Sequence, residues 1–274
     1  MSTTRSWHWW IRRIWLTAAT LFMTWMIWNV QAHGVDDDLL ESSSTVAVST
    51  HSDMTVFMPA NVDAAAPALV FLPGGAVDPH AYVPLVRRIA ESGVPVALGR
   101  LPWRMAFSES AQAETWSRVL RARAHLGVSR PLVLAGHSRG AALSGTFASY
   151  HGSTLSGLIM IGTAHPRDHD LSRLPIPVLK VAATRDCVAD LEASQANAHN
   201  LPSSTTWVVI EGGNHAQFGY YGSQLGDCSA TISREDQQNQ TFDAILTWLA
   251  NALDSVSTAR VPPSGESVRE MDPP

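Results

Sequence analysis

The spacing of hydrophobic and polar positions changes along this chain. Residues 45–58 alternate, with Val46, Val48, Met54, Val56 and Met58 set between polar neighbours, which predicts an edge hairpin or two short strands. From residue 67 onward, short continuous apolar runs take turns with helical periods. The runs at 67–72, 94–101, 132–135, 157–162, 177–183 and 205–210 have the length of buried strands. Between the first two, residues 82–92 place Tyr82, Leu85, Val86 and Ile89 on one helical face and stop at Gly93. Residues 109–126, 140–150 and 189–200 read as further helices, and 235–253 as a closing helix with Phe242, Ile245, Leu246 and Leu249 turned inward. Strands regularly separated by helices predict an α/β domain, a mostly parallel central sheet covered by helices on both faces. Only residues 163–176 separate two of the later strands, which leaves no room there for a large lid domain.

Both ends break the pattern. Residues 14–30 carry no charge, follow Arg5, Arg12 and Arg13, and lie in a segment holding Trp7, Trp9, Trp10, Trp15, Trp25 and Trp28. A positive flank, an apolar run and then the small residue Ala32 make the layout of a cleavable secretory signal over residues 1–33. The same run also suits an N-terminal membrane anchor with tryptophans at the interface. Either reading exports the domain, as a secreted or periplasmic protein or as one anchored outside the cytoplasm. An acidic, serine-rich linker at 34–44 leads into the α/β domain at 45–253, and the polar, proline-containing tail at 254–274 is expected to be disordered.

Composition narrows the partners. At 274 residues, with 45% hydrophobic and 16% charged positions, the chain suits one large α/β domain with a sizeable core. A net charge of −5 offers no basic surface for a phosphate backbone, so nucleic acid is not an expected partner. Two cysteines are too few for a disulfide scaffold or a structural zinc site. In an exported chain the pair Cys187 and Cys228 is expected to be bonded. That bridge would close a loop of about forty residues, worth roughly 4 kcal/mol on the chain-entropy model. Oligomeric state stays open.

The candidate chemistry begins at PLVLAGHSRGAA, residues 131–142. An apolar strand turns through Gly136-His137-Ser138-Arg139-Gly140 into small, helix-compatible residues, which would lift the Ser138 hydroxyl clear of the sheet at the start of a helix. A serine hydroxyl is a weak nucleophile until a base takes its proton, and a third group must hold that base in one tautomer. On such a sheet the order to seek is serine, acid, histidine. Asp186 lies just past the run 177–183 and His215 just past 205–210, so both fall where the carboxyl ends of parallel strands gather a site. Glu211 is an alternative orienting acid, and His165 or His169 an alternative base; His137 reads as packing. Asp168, Asp170 and Asp190 read as loop and capping residues. The oxyanion-hole candidates are the Arg139 N–H and, from the Pro73-Gly74-Gly75-Ala76 loop, the N–H of Gly75 or Ala76.

These residues resemble the α/β-hydrolase superfamily, and within it the small, lid-poor alpha/beta hydrolase fold-5 family, related in outline to dienelactone hydrolases. The resemblance covers roughly residues 56–249 and rests on FLPGGAVDPHAY, LAGHSRGAAL, ATRDC, TTWVVIEGGNHAQFGYYG and ATISRED. It implies Ser138 as nucleophile, Asp186 as acid and His215 as base. Arg139 departs from the family pattern, where leucine is commoner, and the two cysteines stand in place of small residues. The expected function is a serine hydrolase acting on a small-molecule carboxylic ester or similar acyl bond through an acyl-enzyme, with no cofactor or metal. Acyl transfer by the same triad, or a catalytically silent surface-binding scaffold, are the alternatives.

Overall fold

The computed structural model describes residues 3–259, with side chains over residues 7–252. A helix, α1 (Thr3–Asn29), leads into β1 (Val46–Thr50), β2 (Met54–Pro59), β3 (Ala68–Leu72), α2 (Val83–Glu91) and β4 (Val96–Gly99). Then come α3 (Glu109–Leu126), β5 (Leu132–His137), α4 (Arg139–His151), β6 (Gly157–Ile161), β7 (Val178–Ala183), α5 (Leu191–Ala196), β8 (Thr206–Ile210) and α6 (Arg234–Ala259). The strands form one 8-stranded sheet in the order β1-β2-β4-β3-β5-β6-β7-β8. Pairing is parallel from β4 to β8 and antiparallel only where β1 and β2 add the expected hairpin at one edge.

Period-2 alternation divides the core. Leu69 and Phe71 of β3, with Val133 and Ala135 of β5, face one cluster with α2 and α6. Ala68, Val70 and Leu72, with Leu132 and Leu134, face the other with α3 and α4. Both faces being covered, the central strands are continuously apolar, which is why they read as unbroken runs. The chain builds outward from β3 to β4, then crosses back to β5 and proceeds to β8. The order therefore reverses between β3 and β5, and the loops leaving their carboxyl ends share the crevice at that switch point.

The ends differ from the sequence reading in detail. Residues 7–25 of α1 are exposed, yet the stretch that follows is stitched into the domain: Asp78 N–H donates to Val30 O at 2.8 Å, His33 N–H to Tyr220 O at 2.8 Å and Gly222 N–H to Asn29 O at 2.8 Å. Among the described residues no helix is long and apolar enough to cross a membrane. Three threonines (Thr17, Thr20, Thr24) and the indole N–H groups dilute the uncharged run at 14–30. The expected linker is docked as well, since Arg87 Nη1 donates to the carbonyls of Leu39 and Glu41 at 2.8 and 2.7 Å. At the other end α6 runs on to Ala259, past the boundary expected at 253, and residues 260–274 of the expected disordered tail lie outside the described residues.

Lys180, the chain's only lysine, sits fully buried in the middle of β7. Its ammonium donates to His165 O and lies 5.8 Å from the centre of the Trp207 ring. Burial, with Arg167 adding to it, pushes its pKa from 10.5 down to about 7. Because the folded value lies below the unfolded one, the unfolded chain binds the extra proton between about pH 7 and 10.5, and stability rises with pH across that window. Lys180→Met is expected to remove this rise and to be the more stable protein at pH 7. Urea midpoints at pH 7 and 9.5 check it, and equal slopes for the two proteins would contradict it.

Candidate active site

Ser138 occupies the turn between β5 and α4 with φ 51° and ψ −114°, a left-handed conformation costly for a residue with a side chain. The surroundings enforce it. Its N–H donates to Ile161 O at 2.9 Å and its carbonyl accepts from Ala142 N–H at 3.0 Å. A Cβ on Gly136 would come within 2.6 Å of Ala141 N, and one on Gly140 within 2.6 Å of Pro73 O. Both glycines are thus required for the first turn of α4 to press against the ends of β5 and β3. Ser138 is left half-buried at the sheet's carboxyl edge.

The acid and the histidine meet at that edge. His215 Nδ1 lies 2.8 Å from Asp186 Oδ2, and both side chains are buried. The other carboxylate oxygen accepts from the N–H groups of Val188 at 2.9 Å and Ala189 at 2.7 Å. The two amides hold the Asp186 carboxyl in place, and its contact with Nδ1 orients the imidazole so that Nε2 lies on the side away from the acid. His215 Nε2 is buried and has no hydrogen-bond partner among the described residues. The Ser138 hydroxyl likewise makes no hydrogen bond among them.

Two groups that the sequence reading overlooked hold these loops together. The Asp227 carboxylate accepts from four backbone amides, those of Cys187, His215, Ala216 and Cys228, at 2.9–3.3 Å. It therefore spans the acid loop and the histidine loop beside the Cys187–Cys228 disulfide, which is formed as expected. Gln237, buried on α6, brackets Asn214 by accepting from its N–H at 2.9 Å and donating to its carbonyl at 2.7 Å. The signal for Asp227 was its place directly before Cys228; nothing in the period of α6 marked Gln237.

The remaining candidates take other places. Ala76 N–H donates to Arg104 O at 2.7 Å, so it is spent in the loop and is not a free oxyanion donor, which corrects the alternative raised from the sequence. The N–H groups of Gly75 and Arg139 have no acceptor among the described residues. The Arg139 guanidinium turns aside, its Nε donating to Met105 O at 3.1 Å and its Nη2 to Ala106 O at 2.8 Å. It anchors a stretch in which Trp103, Arg104 and Ala106 all have positive φ. His137 is buried: Gly74 N–H donates to the Tyr82 hydroxyl at 3.0 Å, and that hydroxyl is hydrogen-bonded to His137 Nδ1 at 2.8 Å. Burial, then the neighbouring His215, hold the His137 pKa well below the usual range, so it is a neutral wall with its ring 4.6 Å from that of His215. Glu211 accepts from the Thr184 hydroxyl at 3.2 Å, Asp190 caps α5, and Asp170 accepts from Ser172 N–H at 2.8 Å. His169 packs against Tyr150, and His165, whose pKa burial lowers, has its carbonyl on Lys180. Neither of these two imidazoles has a carboxylate hydrogen-bond partner among the described residues.

A sequence model of the alpha/beta hydrolase family matches residues 68–239, more than half of the chain. The chain belongs to the alpha/beta hydrolase family. It is a hydrolase, with an eight-stranded, mostly parallel sheet and no large lid among the described residues. Solved structures share the fold at low identity. A protein assigned as a dienelactone hydrolase, from Klebsiella pneumoniae, is 15% identical with a TM-score of 0.53, over 76% of this chain and 99% of its own. The carboxylesterase CesB from Bacillus subtilis is 13% identical with a TM-score of 0.50, over 77% and 94%. A bacterial membrane phospholipase A is 16% identical with a TM-score of 0.53, over 91% and 100%. No curated protein sequence matches the chain.

Asp227→Ala removes the acceptor of four amides and is expected to cost about 2 kcal/mol of stability. Asp227→Asn, which keeps one acceptor oxygen, is expected to cost less. Urea unfolding checks this; an unchanged midpoint for Asp227→Ala would mean that water satisfies these amides equally well.

Proposed function

We propose that this hydrolase cleaves a small-molecule carboxylic ester, or a similar acyl bond, through a Ser138–His215–Asp186 triad and an acyl-enzyme. The observation that carries the reading is the imidazole of His215. One nitrogen is fixed by Asp186 at 2.8 Å, and the other is buried, without a hydrogen-bond partner among the described residues, and at the same sheet edge as the strained Ser138. Ser138 Oγ attacks the acyl carbon while His215 Nε2 takes its proton, and Asp186 stabilises the imidazolium without being protonated itself. The Ser138–His215 hydrogen bond closes in the substrate complex, where such bonds commonly tighten. The tetrahedral oxyanion lies against the N–H groups of Gly75 and Arg139, the latter at the start of α4 where the helix dipole favours negative charge. His215 then passes its proton to the leaving alcohol, and water, activated by the same nitrogen, releases the acid. The carboxylesterase and the phospholipase A among the structural neighbours are in keeping with acyl-bond chemistry.

Place and partners follow from the same features. The disulfide points to an oxidising, extracytoplasmic compartment. Export would be directed by residues 1–33, and the exposed, uncharged surface at 14–25 supports association with a membrane surface.

A fluorophosphonate probe is expected to label Ser138, with the adduct located by peptide mass spectrometry. Ser138→Ala is expected to lose label and to reduce hydrolysis of p-nitrophenyl acetate about a thousandfold or more, with its urea midpoint retained. A label on another residue, or full activity in the variant, would overturn the assignment.

A further inference from the structure

A cavity of about 210 Å³ lies between the end of α1 and the oxyanion loop. Its walls are Met26 and Val30 from the N-terminal segment, Val77 and Met105 beside the oxyanion loop, and Tyr221 and Leu225 from the segment beyond His215. Along the described side chains of α1, Met26 is the first that is half-buried, and it lines this space. Gly75 also lines the cavity. A Cβ on it would come within 2.9 Å of Met105 Sδ and 3.2 Å of Arg139 Cβ, so Gly75 is wedged between the cavity wall and the residue directly after Ser138.

We propose that this cavity receives the acyl chain of the ester, as a linear aliphatic chain of medium length. This rests on the triad reading given above. An acyl oxygen held by the Gly75 and Arg139 N–H groups leaves its carbon chain to run along one side of the Gly75 backbone, and the apolar space begins there. The lining is mostly apolar and carries no charged side chain, with two thioethers, two valines, a leucine and an aromatic ring; its polar members are Asn29, Ser223 and Gln224, and Gln224 Oε1 already accepts from the Tyr221 hydroxyl at 3.0 Å. Each methylene buried there is worth about fourfold in kcat/KM, so the site selects by chain length.

One wall comes from residues 26–30, which has a consequence for the N-terminus. Cleavage after Ala32 would remove Met26 and Val30 and the bond from Asp78 N–H to Val30 O. The working enzyme therefore keeps α1, as an anchor or surface helix rather than as a discarded leader.

The test uses the full-length protein and p-nitrophenyl esters of acetate, octanoate and decanoate. Met26→Trp fills the cavity and is expected to lower the octanoate-to-acetate ratio of kcat/KM tenfold or more. Met26→Ala enlarges it and is expected to shift the preferred chain longer, raising the decanoate-to-octanoate ratio. Ratios unchanged in both variants overturn the proposal. Calorimetric binding of octanoate to the wild type and to Met26→Trp gives a second readout that needs no turnover. Binding lost in the variant supports the cavity even if Ser138 proves not to be the nucleophile. Equal binding to both proteins, or none to either, overturns it.

Discussion

The site depends on a steric constraint, the approach of the first turn of α4 to the ends of β5 and β3. Two glycines allow it, and their neighbours would collide with any added carbon. The same approach forces Ser138 into a left-handed conformation, and the Arg139 N–H that follows has no acceptor among the described residues. Such strain survives only where the surroundings over-determine it. Here they do so through the switch point of the sheet, where β3 and β5 lie side by side and their loops leave together.

A second constraint acts on the other half of the site. Asp186 and His215 come from separate loops, and their hydrogen bond requires those loops to keep their distance to a few tenths of an ångström. Three unlike devices hold it: the Cys187–Cys228 bond, the Asp227 carboxylate shared by four amides, and Gln237 bracketing the main chain of Asn214. The covalent link limits the unfolded ensemble, whereas the carboxylate and amide orient the folded loops. Preorganisation of this kind holds the His215 ring in one orientation, with Nε2 lacking a hydrogen-bond partner among the described residues.

Much of this could be read from the residues alone, for identifiable reasons. The strands were legible because both faces of the sheet are covered, so each is a plain apolar run. That Ser138, Asp186 and His215 gather at one edge of the sheet was legible because each lies shortly past the end of such a run. The long-range uses of polar groups were not. No local pattern shows that Arg139 would spend its guanidinium on Met105 and Ala106, or that Ala76 N–H would be taken by Arg104. The docking of residues 29–33 was likewise hidden, since its backbone hydrogen bonds leave no mark in side-chain type and the bond from Arg104 Nη1 to Gln31 Oε1 at 3.3 Å joins residues far apart in the chain. The apolar run before it looked like a self-contained segment because its own side chains, as far as Trp25, touch little of the domain.

The central claim is that one hydroxyl and one imidazole act as a unit at this edge of the sheet. Ester hydrolysis by Ser138→Ala, His215→Ala and the double variant, each with the fold verified, tests it most directly. If the two groups share one step, the double variant loses no more than either single one, because each alone already disables the relay. If the losses instead multiply, the two residues act independently and the account fails.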